Sequence, residues 1–264
     1  MTEIGEASPG TTFTVPGTDT TVTIAWAAVT DVGRRRAANE DSYLVRPPIF
    51  AVADGMGGHL SGDVASAAVV QRLSEMVSGD FATTSDIEKA LSNASVDIGI
   101  VAGESEIGVG TTVTGAVLTT DGSRAFFTVF NIGDSRVYQF ERNDLQQVTT
   151  DHSLVQELVD AGIISQAQAH QHPDGNIITR AVGFEPQPVP DYSRLPLRAG
   201  LRLLVCSDGL TGELADDRLR LHFAAGLSPN ETASALVDAA LAAGGRDNVT
   251  VLVIDVLETH TGPR

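Results

Sequence analysis

The chain has 264 residues, 42% of them apolar, a single cysteine and a formal net charge of −17. That length suits one large domain or two small ones with ample core material. The acidic balance argues against nonspecific nucleic-acid or anionic-membrane binding. Cys206 alone can form neither an intramolecular disulfide nor a four-cysteine zinc site. The longest apolar runs, such as Leu201 to Cys206, fall short of a membrane span. The first ten residues carry Glu3 and Glu6 and no basic residue, so no secretory signal is expected and a reducing cytoplasm is the expected compartment. Any enzyme of this charge that acts on phosphate needs strong local positive potential. Sixteen arginines are available but only one lysine, Lys89, and it lacks a glycine-rich phosphate-loop context.

Residues 1–20 are rich in Gly, Ser, Thr and Pro and read as a flexible arm. Strand patterns follow at Val22–Thr30, Ser42–Val45 and Ile49–Ala53. A helix is expected at about Val64–Val77, with Ala65, Ala68, Val69, Leu73 and Met76 on one face. A second helix opens with a capping box at Ser85-Asp86-Ile87-Glu88 and runs through Ala90, Leu91, Ala94 and Ile98. Strands resume at Thr111–Leu118, Arg124–Ile132 and Arg136–Phe140. The stretch 151–190 interrupts the core pattern with two short helical pieces, one after Asp151 and one boxed by Ser165 and Gln168, and reads as a mobile flap. After Leu201–Cys206 comes the clearest helix, capped by Ser228 with Pro229 in its first turn and Glu231 closing the box. Val249–Val256 is the terminal strand, and 259–264 a tail. Clustered strands with paired helices between them predict packed sheets flanked by helices, the earlier helices on one sheet and the later ones on the other.

Three acidic positions share one design. Ile49–Ala53 ends at Asp54-Gly55, Leu201–Cys206 ends one serine before Asp208-Gly209, and Gly245-Arg246-Asp247-Asn248 immediately precedes Val249–Val256. Each puts a carboxylate at the rim of a buried strand. Carboxylates converging there repel one another unless cations lie between them, and Mg²⁺ or Mn²⁺ suits all-oxygen ligands better than zinc. An isolated Asp-Gly is equally a hairpin turn. Arg36-Ala37-Ala38-Asn39-Glu40-Asp41, taken alone, is a solvated charge run, and Gly133-Asp134-Ser135-Arg136 a turn with a salt bridge.

Together and in this order, these pieces resemble the type-2C metal-dependent serine/threonine protein phosphatases, over roughly residues 22–257. The likeness rests on Arg36…Asn39-Glu40-Asp41, Asp54-Gly55-Met56-Gly57-Gly58, Gly110-Thr111-Thr112, Gly133-Asp134-Ser135-Arg136, Cys206-Ser207-Asp208-Gly209 and Gly245-Arg246-Asp247-Asn248. Asp54–Gly58 and the stretch from Asp151-His152-Ser153-Leu154 to Ile178-Thr179-Arg180-Ala181 have the form of the bacterial branch.

The resemblance implies an α+β fold: a central sandwich of two antiparallel sheets with helices on both outer faces and a small flap, the catalytic domain spanning 21–258. It implies two Mn²⁺ or Mg²⁺ ions bridged by Asp54, with the Gly55 carbonyl and waters completing one shell and Asp208 and Asp247 the other. Glu40 and Asp41 would act through water, Asp134 would hold a looser third ion with Asp208, and Arg36 would bind the substrate phosphate in a bidentate fork. The implied reaction is in-line attack of a metal-bridging water or hydroxide on phosphoserine or phosphothreonine, without a phosphoenzyme. Phosphorylated proteins, including serine/threonine kinases or their substrates, are the implied partners of a monomeric, cytoplasmic enzyme with no nucleic-acid or membrane partner. In one respect the chain departs from animal relatives: Met56 stands where they carry a histidine proposed as general acid, and His59 is the nearby substitute.

Other phosphatase chemistries fail on the residues. Six positions beyond Cys206 stands Gly212, not the arginine a cysteine phosphatase needs, and no strand ends in the paired aspartates of an aspartyl-phosphate hydrolase. A catalytically silent metal-binding module on the same fold is disfavoured because every metal and phosphate position is filled.

Overall fold

The computed structural model describes residues 1–57, 61–76, 78–103, 108–169 and 172–261. In chain order the strands are β1 (Glu3–Ile4), β2 (Ser8–Thr14), β3 (Thr21–Asp31), β4 (Asp41–Arg46), β5 (Ile49–Met56), β6 (Gly110–Thr111), β7 (Val113–Thr120), β8 (Ala125–Ile132), β9 (Arg136–Glu141), β10 (Asp144–Gln147), β11 (Asp191–Pro196), β12 (Arg202–Cys206) and β13 (Val249–His260). The helices are α1 (Gly62–Glu75), α2 (Thr84–Ala102), α3 (Leu154–Asp160), α4 (Gln166–Ala169), α5 (Asp208–Thr211), α6 (Asp216–Ala224) and α7 (Pro229–Ala243).

One sheet has the order β1-β4-β5-β7-β8-β11 with β6 paired to β5; the other runs β10-β9-β12-β13-β3-β2. All pairings are antiparallel except β1 with β4. Inner strands are covered on both faces, which is why they read as continuous apolar runs; every residue of β8 is buried.

Three cores separate four layers. Between the sheets lie Trp26, Phe50 and Phe127 in edge-to-face contact, with Val205, Leu252 and Ile254. The amphipathic faces of α1 and α2 close the first sheet through Val69, Leu73, Leu91 and Ile98. Leu219, Phe223, Leu236 and Val237 of α6 and α7 close the second. The helices are thus divided between the sheets as the sequence pattern requires.

Several expectations are corrected. Residues 1–20 are not a free arm over their whole length: β2 pairs with β3, Phe13 and Val15 are buried, and the Trp26 indole donates to the Glu6 carbonyl at 2.8 Å. Threonine, a good strand former, carries β2 among the glycines and prolines. The capping box of α2 lies at Thr83 and Asp86, two residues before the expected serine, because Thr83 is the residue in extended backbone there. At the other end β13 runs through His260, into the expected tail, because it keeps pairing with β3 as far as Thr21.

Candidate active site

The acidic residues converge where the two sheets open at one end. Asp54 lies inside β5 rather than after it, since Gly55 and Met56 continue the strand by pairing with Thr111 and Gly110. Its register partner on β4 is Asp41. Asp208 opens α5 immediately beyond β12, and Asp247 precedes β13. Neither Asp-Gly pair is a hairpin turn. A Cβ on Gly55 would stand 2.0 Å from the Gly62 carbonyl oxygen, and one on Gly209 1.9 Å from that of Asn248. The glycines allow α1 and the β13 approach to close over the acids.

Backbone and hydroxyl groups fix the backbone of Asp54 and the carboxylate of Asp41. The Asp54 carbonyl accepts from the Thr111 hydroxyl at 2.8 Å and the Thr112 amide at 2.9 Å, while its amide donates to Thr112 Oγ1 at 3.1 Å. Thr112 Oγ1 in turn meets Ser135 Oγ at 2.8 Å, tying the Asp134 turn to the same point. Asp41 is fully buried, and its Oδ2 accepts from Ser207 Oγ at 2.8 Å and Thr250 Oγ1 at 2.6 Å. Asn248 accepts the Glu40 amide at 2.8 Å and donates to the Val32 and Ala38 carbonyls at 2.9 Å, anchoring the loop that carries Arg36. Arg36 itself donates from Nη2 to Asp247 Oδ2 at 2.6 Å, with half of its side chain open to solvent.

Electrostatically the cluster is strained as a set of bare acids. Burial first, then the fields of Asp41, Asp208, Asp134 and Asp247, push the Asp54 carboxyl well above its ordinary range. Burial and the Asp247 field raise Asp208. Asp41 rises to about 7 and Asp134 to about 8, each mainly through burial, with Asp208 adding to both. Glu40 is also raised, by burial. Asp41 Oδ1, Asp63 Oδ1, Asp134 Oδ1 and Asp208 Oδ1 are buried without hydrogen-bond partners. Buried carboxylate oxygens without partners are what a hard divalent cation can satisfy. Among the described residues no three of the His, Cys, Asp or Glu side chains close into a cage by themselves.

The structure therefore gathers Arg36, Glu40, Asp41, Asp54, Gly55, Asp134, Asp208 and Asp247 at one rim. His59 lies outside the described residues, as does Gly58. Two features had no sequence signal. Ser207 and Thr250, 166 and 209 residues from Asp41, supply its hydrogen bonds. Asp63 at the start of α1 adds its field to Glu40. The salt bridge that the turn Gly133–Arg136 would suggest if taken alone is not formed: Arg136 grips Asp151 instead, Nη2 to Oδ2 at 2.7 Å and Nε to both oxygens at 3.0 Å.

A cleft of about 320 Å³ runs from this rim. One wall carries Ser153, Gln156, Gln166, His172 and Asn176; the other carries Gly209, Thr211, Glu213 and Arg246. The base of the 151–190 segment is stapled to the rim. Thr179 N–H donates to the His152 carbonyl at 2.9 Å, and the His152 amide to the Gly133 carbonyl at 2.9 Å. His152 Nδ1 accepts the Gly133 amide at 3.0 Å, and its Nε2 lies 3.1 Å from Asp191 Oδ2 and 2.7 Å from Arg180 Nη1. Burial holds the imidazole below its usual pKa, and the nearby Arg180 guanidinium adds to this.

A two-sheet sandwich between helix layers, with an acidic rim and an adjacent arginine, defines the architecture of a metal-dependent phosphatase. Residues 34–243 match the Protein phosphatase 2C family, and the chain belongs to that family. It is a serine/threonine phosphatase of the 2C type, and such enzymes act on phosphorylated proteins. It is 38% identical to the serine/threonine phosphatase stp of Listeria welshimeri, over 86% of this chain and 93% of that protein. It is 37% identical to the serine/threonine protein phosphatase PstP of Mycobacterium tuberculosis, over 92% of this chain but only 47% of that longer protein. The catalytic domain of PstP in complex with two manganese ions superposes with a TM-score of 0.77 at 35% identity, covering 90% of this chain and 99% of that domain. Among the described residues no helix is long and apolar enough to cross a membrane.

Proposed function

We propose that this phosphatase hydrolyses phosphoserine and phosphothreonine by direct attack of water, with two Mn²⁺ or Mg²⁺ ions at the acidic rim. The observation that carries this reading is the set of buried, unpartnered oxygens on Asp41, Asp134 and Asp208 around Asp54. Asp54 would bridge both ions, Gly55 would offer its carbonyl to one, and Asp208 and Asp247 would hold the other. Glu40 and Asp41 would act through water, and Asp134 with Asp208 would hold a looser third ion. Bound in pairs, such ions lower the pKa of water and screen an anionic ester from its nucleophile.

The remaining work falls to the chain's own groups. Arg36 engages Asp247 through Nη2 alone, leaving the rest of its fork free for phosphate oxygens. The wall formed by 151–190 shapes substrate choice; α3 buries none of its residues, and His172 and Asn176 line the cleft. His59 protonates the leaving alkoxide in place of Met56. If so, His59→Ala harms phosphothreonine peptides far more than p-nitrophenyl phosphate, whose leaving group needs no proton. Equal losses on both substrates refute that role. The enzyme works as a cytoplasmic monomer in signal transduction, on serine/threonine kinases or their substrates.

The deciding experiment compares phosphothreonine, phosphoserine and phosphotyrosine peptides with Mn²⁺, with Mg²⁺ and with EDTA. Turnover of the first two that vanishes in EDTA supports the reading; metal-independent turnover overturns it.

A further inference from the structure

Building on the phosphatase reading above, we propose that Arg34 and Arg35, beside Arg36 and Arg246, dock a second anionic group carried on the same peptide segment as the phosphoresidue. Arg34-Arg35-Arg36 is the longest basic run in a chain whose net charge is −17. The fold places it against the loop that carries Asp247. The Arg34 amide donates to the Gly245 carbonyl at 2.7 Å, and Arg34 Nε donates to the Leu241 carbonyl at 2.9 Å. Gly33 approaches so closely that a Cβ there would stand 2.1 Å from the Asp247 carbonyl oxygen. Arg246, 70% exposed, is held by Glu213 at 2.9 Å and by the Gly212 carbonyl at 2.8 Å, and it lines the cleft beside Asp247.

Two of the four arginines of this collar are already paired with acids, Arg36 with Asp247 at 2.6 Å and Arg246 with Glu213 at 2.9 Å. Asp31 Oδ1 accepts the Gly33 amide, and Glu213 is matched by Arg246. Arg34 and Arg35 are exposed, and among the described residues no carboxylate pairs with either. Among the described residues the opposite wall offers no comparable cation. Its guanidinium, Arg136, is largely buried and committed to Asp151 and Tyr138, and its other polar side chains include Ser153, Gln156, Gln166, His172 and Asn176. A local positive field in an acidic protein concentrates anions where it stands, and guanidinium forks suit phosphate and carboxylate oxygens alike. The second anion therefore lies on the side of residues 34–36, away from the 151–190 wall.

The test uses three peptides of equal length that share one phosphothreonine, assayed with Mn²⁺. One has neutral flanks, one has glutamates beside the phosphothreonine, and one carries a non-hydrolysable phosphonate side chain two positions away. The wild type is expected to favour the anionic peptides by about tenfold in kcat/KM, through KM. Arg35→Ala should lower that preference about threefold, and Arg34→Ala with Arg35→Ala should erase it, as exposed ion pairs allow. Salt near 0.5 M should shrink the preference by screening. Turnover of p-nitrophenyl phosphate should not change. Preference for the phosphonate peptide alone assigns the collar to phosphate; preference for both extends it to carboxylates. Equal kcat/KM on all three peptides, or a preference that survives the double substitution, overturns the collar. Failure on all three peptides strikes the phosphatase reading instead.

Discussion

Asp134 and Asp151 line the same cleft, yet Asp134 keeps a buried oxygen without a partner while Asp151 is chelated by Arg136. Burying a carboxylate costs several kcal/mol unless an opposite charge compensates. Around Asp151 the chain supplies that charge itself and adds Gln147 Nε2 at 2.9 Å. Around Asp54 it supplies hydroxyls and amides to fix the backbone, and at Asp134 and Asp208 it leaves a side-chain oxygen bare. The contrast separates acids that hold the fold together from the acids proposed to hold cations.

Asp54→Asn breaks the proposed cation-holding set at its centre. It should keep the fold and lower kcat by at least about a thousandfold in saturating Mn²⁺; near-normal turnover by a folded variant would remove Asp54 from the bridging position. Asp151→Ala breaks the paired set. It strands a buried guanidinium, so urea unfolding should show a loss of about 3–5 kcal/mol, and unchanged stability would make the pair ornamental. Asp134→Ala should leave paired-site metal binding intact by titration calorimetry while kcat drops about a hundredfold. Full activity at low millimolar Mn²⁺ would leave Asp134 as a turn residue. The smallest effect is expected at Arg36, which offers a fork and no metal ligand. Arg36→Ala should raise KM for phosphopeptides about tenfold with a lesser change in kcat, and a collapse of metal affinity with unchanged KM would contradict that.

The sequence carried the site further than the edges of the fold. Asp54, Asp208 and Asp247 stand next to strongly apolar strands, so their rim positions follow from local pattern. The α7 cap is equally local, with Ser228 and Glu231 three residues apart. By contrast β2, β10 and β11 are edge strands or their neighbours, and exposed polar residues blur their alternation. Helix α6 begins Asp-Asp-Arg and buries only Leu219 and Phe223, too few for a clear period. The partners of Asp41 and the choice of Asp151 by Arg136 depend on tertiary approach, which no window of sequence records.

The most direct test of the acids proposed to hold cations is the pH dependence of stability in EDTA, for wild type against Asp134→Asn. The folded-state carboxyl of Asp134 titrates near 8, above its ordinary range. The native state therefore binds more protons than the unfolded chain between about pH 4 and 8, and stability falls as pH rises through that window. Below it the contribution is fully present. Urea unfolding in EDTA should show wild type losing stability relative to Asp134→Asn from pH 4 to about 8, and Mn²⁺ should reverse the trend by favouring the ionised carboxylate. A wild-type-to-variant difference that stays flat with pH in EDTA, and does not respond to Mn²⁺, would contradict the assignment of these acids to cations.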